Sequence, residues 1–138
     1  MAAGSWQLDI RTDRFSGDVV CRLRGKRLLY LSGAVGFRFG HRASVMDAWV
    51  RIDNGPAMRW RDQLPELARL RVPIDGADMD VPTDGIVWLP AQLIDNAGIV
   101  AIQPVPGKGA RSFDIAGFRE LLAAGRRAGC DPEARFAL

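Results

Sequence analysis

Residues 6–39, WQLDIRTDRFSGDVVCRLRGKRLLYLSGAVGFRF, decide the fold. Trp6, Leu8 and Ile10 alternate with Gln7, Asp9 and Arg11. A period of two puts the apolar residues on one side of a strand and the polar ones on the other. Ser16-Gly17-Asp18 then supplies a turn signal. Val19, Cys21 and Leu23 alternate with Val20, Arg22 and Arg24, so Cys21 shares the apolar face and should point inward. Gly25-Lys26 reads as another turn, and Leu28 to Leu31 as a more buried strand. Val35, Phe37 and Phe39 alternate with Gly36, Arg38 and Gly40. Short strands recurring every ~10 residues between Gly and Asp predict a mainly β protein, an antiparallel β-sandwich or a partly open barrel.

Downstream, Ala48 to Asp53 and Ala57 to Arg61 flank Asn54-Gly55, the strongest short hairpin signal in the chain. The register decides which side chains meet. A two-residue turn would put Arg59 on the same face as Val50 and Ile52. One extra residue in the loop groups Val50, Ile52, Met58 and Trp60 on one face, and Trp49, Arg51, Arg59 and Arg61 on the other. The second register separates apolar from charged residues and is the expected one.

Asp62 to Arg71 can form a short helix, with Pro65 in its first turn. Pro73 to Gly85 reads as a surface loop, Ile86 to Leu89 as an apolar strand, and Gly98 to Val105 as another. Ser112 and Phe113 close the last strand. The one long helix is expected over about 114–128. Asp114 is its predicted N-cap, and Ile115, Phe118, Leu121, Leu122 and Gly125 form its apolar stripe. Arg126 and Arg127 suit its last turn, and Gly129 suits the position just past its end.

The length of 138 residues predicts a single β-rich domain, 1–138, with that helix at its end. Apolar residues make up 48% and charged residues 25%, so the chain can build a core without dense cross-linking. No apolar run is long enough to span a membrane. Ala2-Ala3-Gly4-Ser5 lacks the basic start and apolar stretch of a signal peptide. It reads either as the stub of a removed signal or as an ordinary start. The net charge of +3 is too small to point to nucleic acid.

The two cysteines, Cys21 and Cys130, lie in an inward strand position and just past the helix. A bond between them would tie the first strands to the last helix and imply an oxidising compartment, periplasmic or secreted. The alternative is two free thiols, one of them buried as a small hydrophobe.

No catalytic signature stands out. His41 is the single histidine and has no Gly-x-Ser-x-Gly elbow to accompany it. One His and two distant Cys match no zinc spacing, so no metal or cofactor is expected. Asp75, Asp78, Asp80 and Asp84 form an acidic loop that could offer oxygens to calcium but lacks the EF-hand order. Solvated turn aspartates are the default, and a small carboxylate-dependent hydrolase is the alternative use. Gly107-Lys108-Gly109 lacks the remaining residues of a phosphate loop and reads as a hairpin turn.

The main binding candidate is the face carrying Trp49, Arg51, Arg59 and Arg61. Guanidiniums side by side call for an anion, a stacked aromatic ring, or carboxylates such as Asp47, Asp53 and Asp62. Arg22, Arg24, Lys26 and Arg27 form a second basic strip. It serves either anion or nucleic-acid contact or the protection of a sheet edge.

Trp6, Cys21, the Ile52-Asp53-Asn54-Gly55 turn, and Phe113-Asp114-Ile115-Ala116-Gly117-Phe118 leading into a helix resemble the invasion-associated locus B group. The resemblance covers about a third of the chain and lacks that group's internal cysteine pair. It implies a small exported bacterial envelope protein with a β-rich fold and no established enzymatic activity. It carries no functional residue onto this sequence. The expected function is therefore a non-enzymatic periplasmic or secreted domain that binds an envelope component or a partner protein.

Overall fold

The alternating segments do form strands. The computed structural model describes residues 1–31, 33–40, 44–72, 74 and 85–130. Its strands are β1 (Ala2–Ala3), β2 (Trp6–Thr12), β3 (Val19–Gly25), β4 (Leu28–Leu31), β5 (Ala34–Arg38), β6 (Trp49–Ile52), β7 (Met58–Arg59), β8 (Ile86–Pro90), β9 (Ile99–Gln103) and β10 (Arg111–Asp114). Two α-helices, α1 (Leu64–Arg69) and α2 (Phe118–Arg127), complete the set, with single 3₁₀ turns at Trp60–Gln63 and Ala91–Leu93.

All neighbouring strands run antiparallel, in two open sheets. The first has the order β1-β2-β3-β4-β5-β8, and the second β10-β9-β6-β7. The architecture is thus an open sandwich, not a closed barrel.

Registers explain which residues face the core. Leu8 pairs with Leu23 and both are buried; Ile10, opposite Cys21 on the same face, lies beyond the margin of the core and is exposed. Leu28 pairs with Phe37 and Tyr30 with Val35. This face of the first sheet is shared by two covers. Over β2 and β3 lies α2, whose Phe118 ring packs 5.1 Å from Trp6 and 5.7 Å from Tyr30. Toward β5 lies the second sheet, whose Phe113 ring meets Phe37 edge-on at 5.0 Å. Burying a ring such as Phe118 contributes about 2–3 kcal/mol. Trp60 is fully buried, and its indole N–H donates to the Trp88 carbonyl at 2.5 Å, fastening the end of β7 to β8. Burial of the Tyr30 phenol pushes its pKa up, so it stays a neutral part of this core.

The opposite face of β4, β5 and β8 is buried as well, as expected for Leu28 to Leu31. Leu29, Leu31 and Trp88 are all under 7% exposed. Gly36 sits beneath the Trp88 ring, and a β-carbon there would lie 3.1 Å from the indole and 2.9 Å from Ile86.

The C-terminal helix is shorter than its apolar stripe predicts. Asp114 ends β10 instead of capping α2, and its carboxylate accepts the Ala116 N–H at 3.0 Å. Gly117, at φ 93°, is the residue before the helix. The strand pairing of Asp114 with Ile99 outcompetes a helical start at this point. The stripe itself is correct: Ile115, Phe118, Leu121, Leu122 and Gly125 are buried. The far end closes as the sequence implies. Gly129 has φ 98°, its N–H reaches the Arg126 carbonyl, and the Cys130 N–H reaches the Gly125 carbonyl at 2.8 Å. That double bond pattern is a Schellman cap, which turns Cys130 back onto the sheet. Cys21 and Cys130 form a disulfide with their Cα atoms 6.0 Å apart, and both are buried.

In the turn that joins β2 to β3, Asp13 organises the backbone. Its carboxylate accepts N–H bonds from Phe15 at 2.7 Å and Ser16 at 3.1 Å. Those bonds hold its pKa below the ordinary carboxylate value. Ala2–Ala3, which carry no periodic signal, pair with β2 as an edge strand.

Candidate binding surfaces

The central hairpin takes the register that separates the faces. Trp49 pairs with Arg59 and Val50 with Met58, which requires an odd-membered loop between β6 and β7. Asp53 enters that loop at φ 51°, a conformation Asp tolerates better than most residues. Its carboxylate accepts the Gly98 and Ile99 N–H groups, each at 3.0 Å. Asp53 therefore locks the hairpin to β9 and is not a partner for the arginines.

Trp49, Arg51 and Arg59 come together on the outer face of the second sheet. The Arg59 guanidinium stacks over the Trp49 ring at 5.7 Å. Arg51 is exposed and has no carboxylate partner among the described residues. Ala101 and Gln103 lie opposite Arg51 and Trp49 on β9, and Ser112 lies opposite Ala101 on β10. Four strands thus contribute to one largely polar surface, with the Trp49 ring toward the β7 side. Arg61 departs from it. The strand ends at Arg59, two residues before the sequence predicts, because Trp60 turns inward and starts the 3₁₀ turn. Arg61 instead meets the Asp47 carboxylate at 3.4 Å. Both partners are about half exposed, so that pair contributes little.

The second basic strip divides. Arg22 and Arg24 point outward from β3, beside Asp9 on β2. Asp9 pairs with Arg22 across the strands and lies 3.7 Å from the Arg24 guanidinium. Lys26 and Arg27 form the two-residue turn between Gly25 and Leu28, which pair with each other. Arg27 has φ 58°, where glycine is the usual occupant. Holding an arginine there costs about 1 kcal/mol.

Lys26 and Arg27 form one wall of a cavity of about 380 Å³, and β10 forms the other. Arg111 joins them there, stacked over Phe39 at 5.3 Å. Sequence reading missed Arg111 as a partner of this strip. More than eighty residues separate it from Arg27, and only the packing of one sheet on the other brings it close. Ser5, Ser112 and Asp114 also line the cavity.

No family profile, curated protein or solved structure matches this chain.

Functional inference therefore rests on surface chemistry. His41, Asp75, Asp78, Asp80 and Asp84 lie outside the described residues. Among the described residues, no group of three or more His, Cys, Asp or Glu gathers. No described helix is long and apolar enough to cross a membrane.

Proposed function

We propose that this chain is a non-enzymatic binding domain of an oxidising compartment, periplasmic or secreted, and that it engages an anionic envelope component or partner protein. The observation that carries the reading is the cation and aromatic cluster on the outer face of the second sheet. The Arg59 guanidinium sits over the Trp49 ring, while Arg51, on the same face, has no carboxylate partner among the described residues. A stacked guanidinium keeps its donors available in a fixed plane, and an arginine without a counter-charge gains most from an incoming anion. The Cys21–Cys130 disulfide supports the compartment, since such bonds persist where thiols are not kept reduced. The resemblance to the invasion-associated locus B group points the same way.

The test is retention on immobilised oxidised protein of material from an envelope extract of the source cell. Replacing Arg51 and Arg59 by Gln should reduce retention about tenfold and leave the melting temperature within about 2 °C of wild type. Unchanged retention would remove this face from consideration. Retention that survives mutation of the face but collapses steeply with salt would favour a diffuse polyanion contact, nucleic acid included.

A further inference from the structure

We propose that the cleft between the free edge of β10 and the β3–β4 turn binds a phosphoryl group through Lys26, Arg27 and Arg111. This site borders the hairpin face at Ser112 but uses none of that face's arginines, and it stands whether or not that face binds a partner.

Four observations converge on it. The first is charge. Lys26, Arg27 and Arg111 line one cavity, and none has a carboxylate within ion-pair distance among the described residues. The one acid present, Asp114, already accepts the Ala116 N–H. Three cations against one carboxylate match an anion carrying nearly two charges, which is the state of a phosphoryl group near neutral pH. A single carboxylate would match only half of that.

The second is backbone conformation. Arg27 occupies a left-handed turn position that glycine would fill without strain. The turn holds this arginine at the cleft despite the local conformational cost.

The third is preorganisation. The Arg111 guanidinium already sits over the Phe39 ring, so less freedom is lost when it binds. Buried Leu28 and Phe113 form a firm base beneath the charged groups.

The fourth is the strand edge. The Ile115 N–H bonds to the Gly98 carbonyl, and the Asp53 N–H bonds to the Ile99 carbonyl. In an antiparallel ladder these bonds alternate, so Phe113 and Arg111 point their backbone groups at β9, and Ser112 and Asp114 point theirs away. Because β10 ends its sheet among the described residues, the Ser112 N–H is left on the open side, and Ser112 and Ser5 both line the cavity. Cations, hydroxyls and a backbone N–H together form a donor set suited to phosphate oxygens. The volume of about 380 Å³ falls within the range of small-ligand pockets.

The phosphoryl group could belong to a free phosphate or to a lipid headgroup, and two probes separate these sources. Inorganic phosphate is titrated into the intact oxidised protein at low salt, with amide shifts read by NMR and affinity by calorimetry. In parallel, binding is measured to phosphatidylcholine vesicles with and without phosphatidic acid. Saturable shifts at Arg27, Arg111 and Ser112 are expected. Arg111→Gln should weaken binding about tenfold or more. Arg27→Gly is the sharper variant: it should weaken binding similarly while the melting temperature holds or rises, because strain is relieved. Binding of phosphatidic acid vesicles alone, lost in both variants, places the group on a lipid. Binding of free phosphate, lost in both variants, places it in solution. The proposal is overturned if neither probe binds, or if both variants bind as wild type does. It is also overturned if a Glu-rich peptide without phosphate binds more tightly than phosphate, since that marks strand addition at the β10 edge.

Discussion

Replacing Cys21 and Cys130 together by Ala lowers the unfolding free energy by about 3–4 kcal/mol and the melting temperature by roughly 10 °C or more. The size follows from where the bond sits. It joins positions 109 residues apart, so it restrains nearly the whole unfolded chain. Chain-entropy arguments put the upper value for a loop of about 100 residues near 4.7 kcal/mol. Both sulfurs are buried, between the strand that carries Leu23 and the capped end of α2. Alanine keeps the apolar environment, so cavity effects stay small compared with the lost restraint. Chemical denaturation of the oxidised wild type and of the double variant measures the difference. A loss below about 1 kcal/mol would mean that the Schellman cap and the Phe118 contacts hold α2 in place without the bond.

Gly117→Ala is the second large effect, at about 2–4 kcal/mol of lost stability. Two separate causes act there. Gly117 has φ 93°, which an alanine adopts at a cost of about 1 kcal/mol. An added β-carbon would also lie 2.2 Å from the Ala3 carbonyl oxygen and 2.5 Å from its carbon. These are backbone atoms held by the pairing of Ala3 with Trp6, so they cannot rotate away. Relief requires shifting β1 or the start of α2, a form of overpacking that costs about 1–3 kcal/mol. Gly107→Ala is the control. Gly107 has φ 79° but nothing within 4 Å of an added β-carbon, so it should lose only about 1 kcal/mol. Urea midpoints of the two variants separate conformational cost from collision. Equal losses would show that β1 yields freely to the helix start.

How far the sequence discloses this molecule depends on the distance over which each feature is encoded. Strand faces follow from neighbours two apart, so Trp6, Leu8, Cys21, Leu23 and Phe37 are legible and do lie in the core. The hairpin register is legible for the same reason: only one register keeps Val50 and Met58 apart from Trp49 and Arg59. The helix cap at Gly129 is encoded within five residues and is equally plain. Features set by long-range pairing are not. Asp114 looks like a helix cap until β9 claims it as strand. Arg61 looks like strand until Trp60 turns into the core. Gly4 lies against the Ala116 carbonyl and Gly117 against that of Ala3, and neither contact is announced by the sequence. The cleft is the extreme case. Lys26 and Arg27 read as one end of a basic strip, and nothing in the sequence ties Arg111 to them. Their common cavity exists only once the two sheets are assembled.

The most direct test of the account is the thiol content of the protein isolated from its native cell under alkylating conditions, then denatured and counted with and without reductant. The account predicts no free thiol before reduction and two after it. That result would place the Cys21–Cys130 bond in the working molecule and its compartment outside the reducing cytosol. Two free thiols before reduction would contradict the account. They would remove the staple between β3 and α2 from the functional form and the compartment from the proposed function.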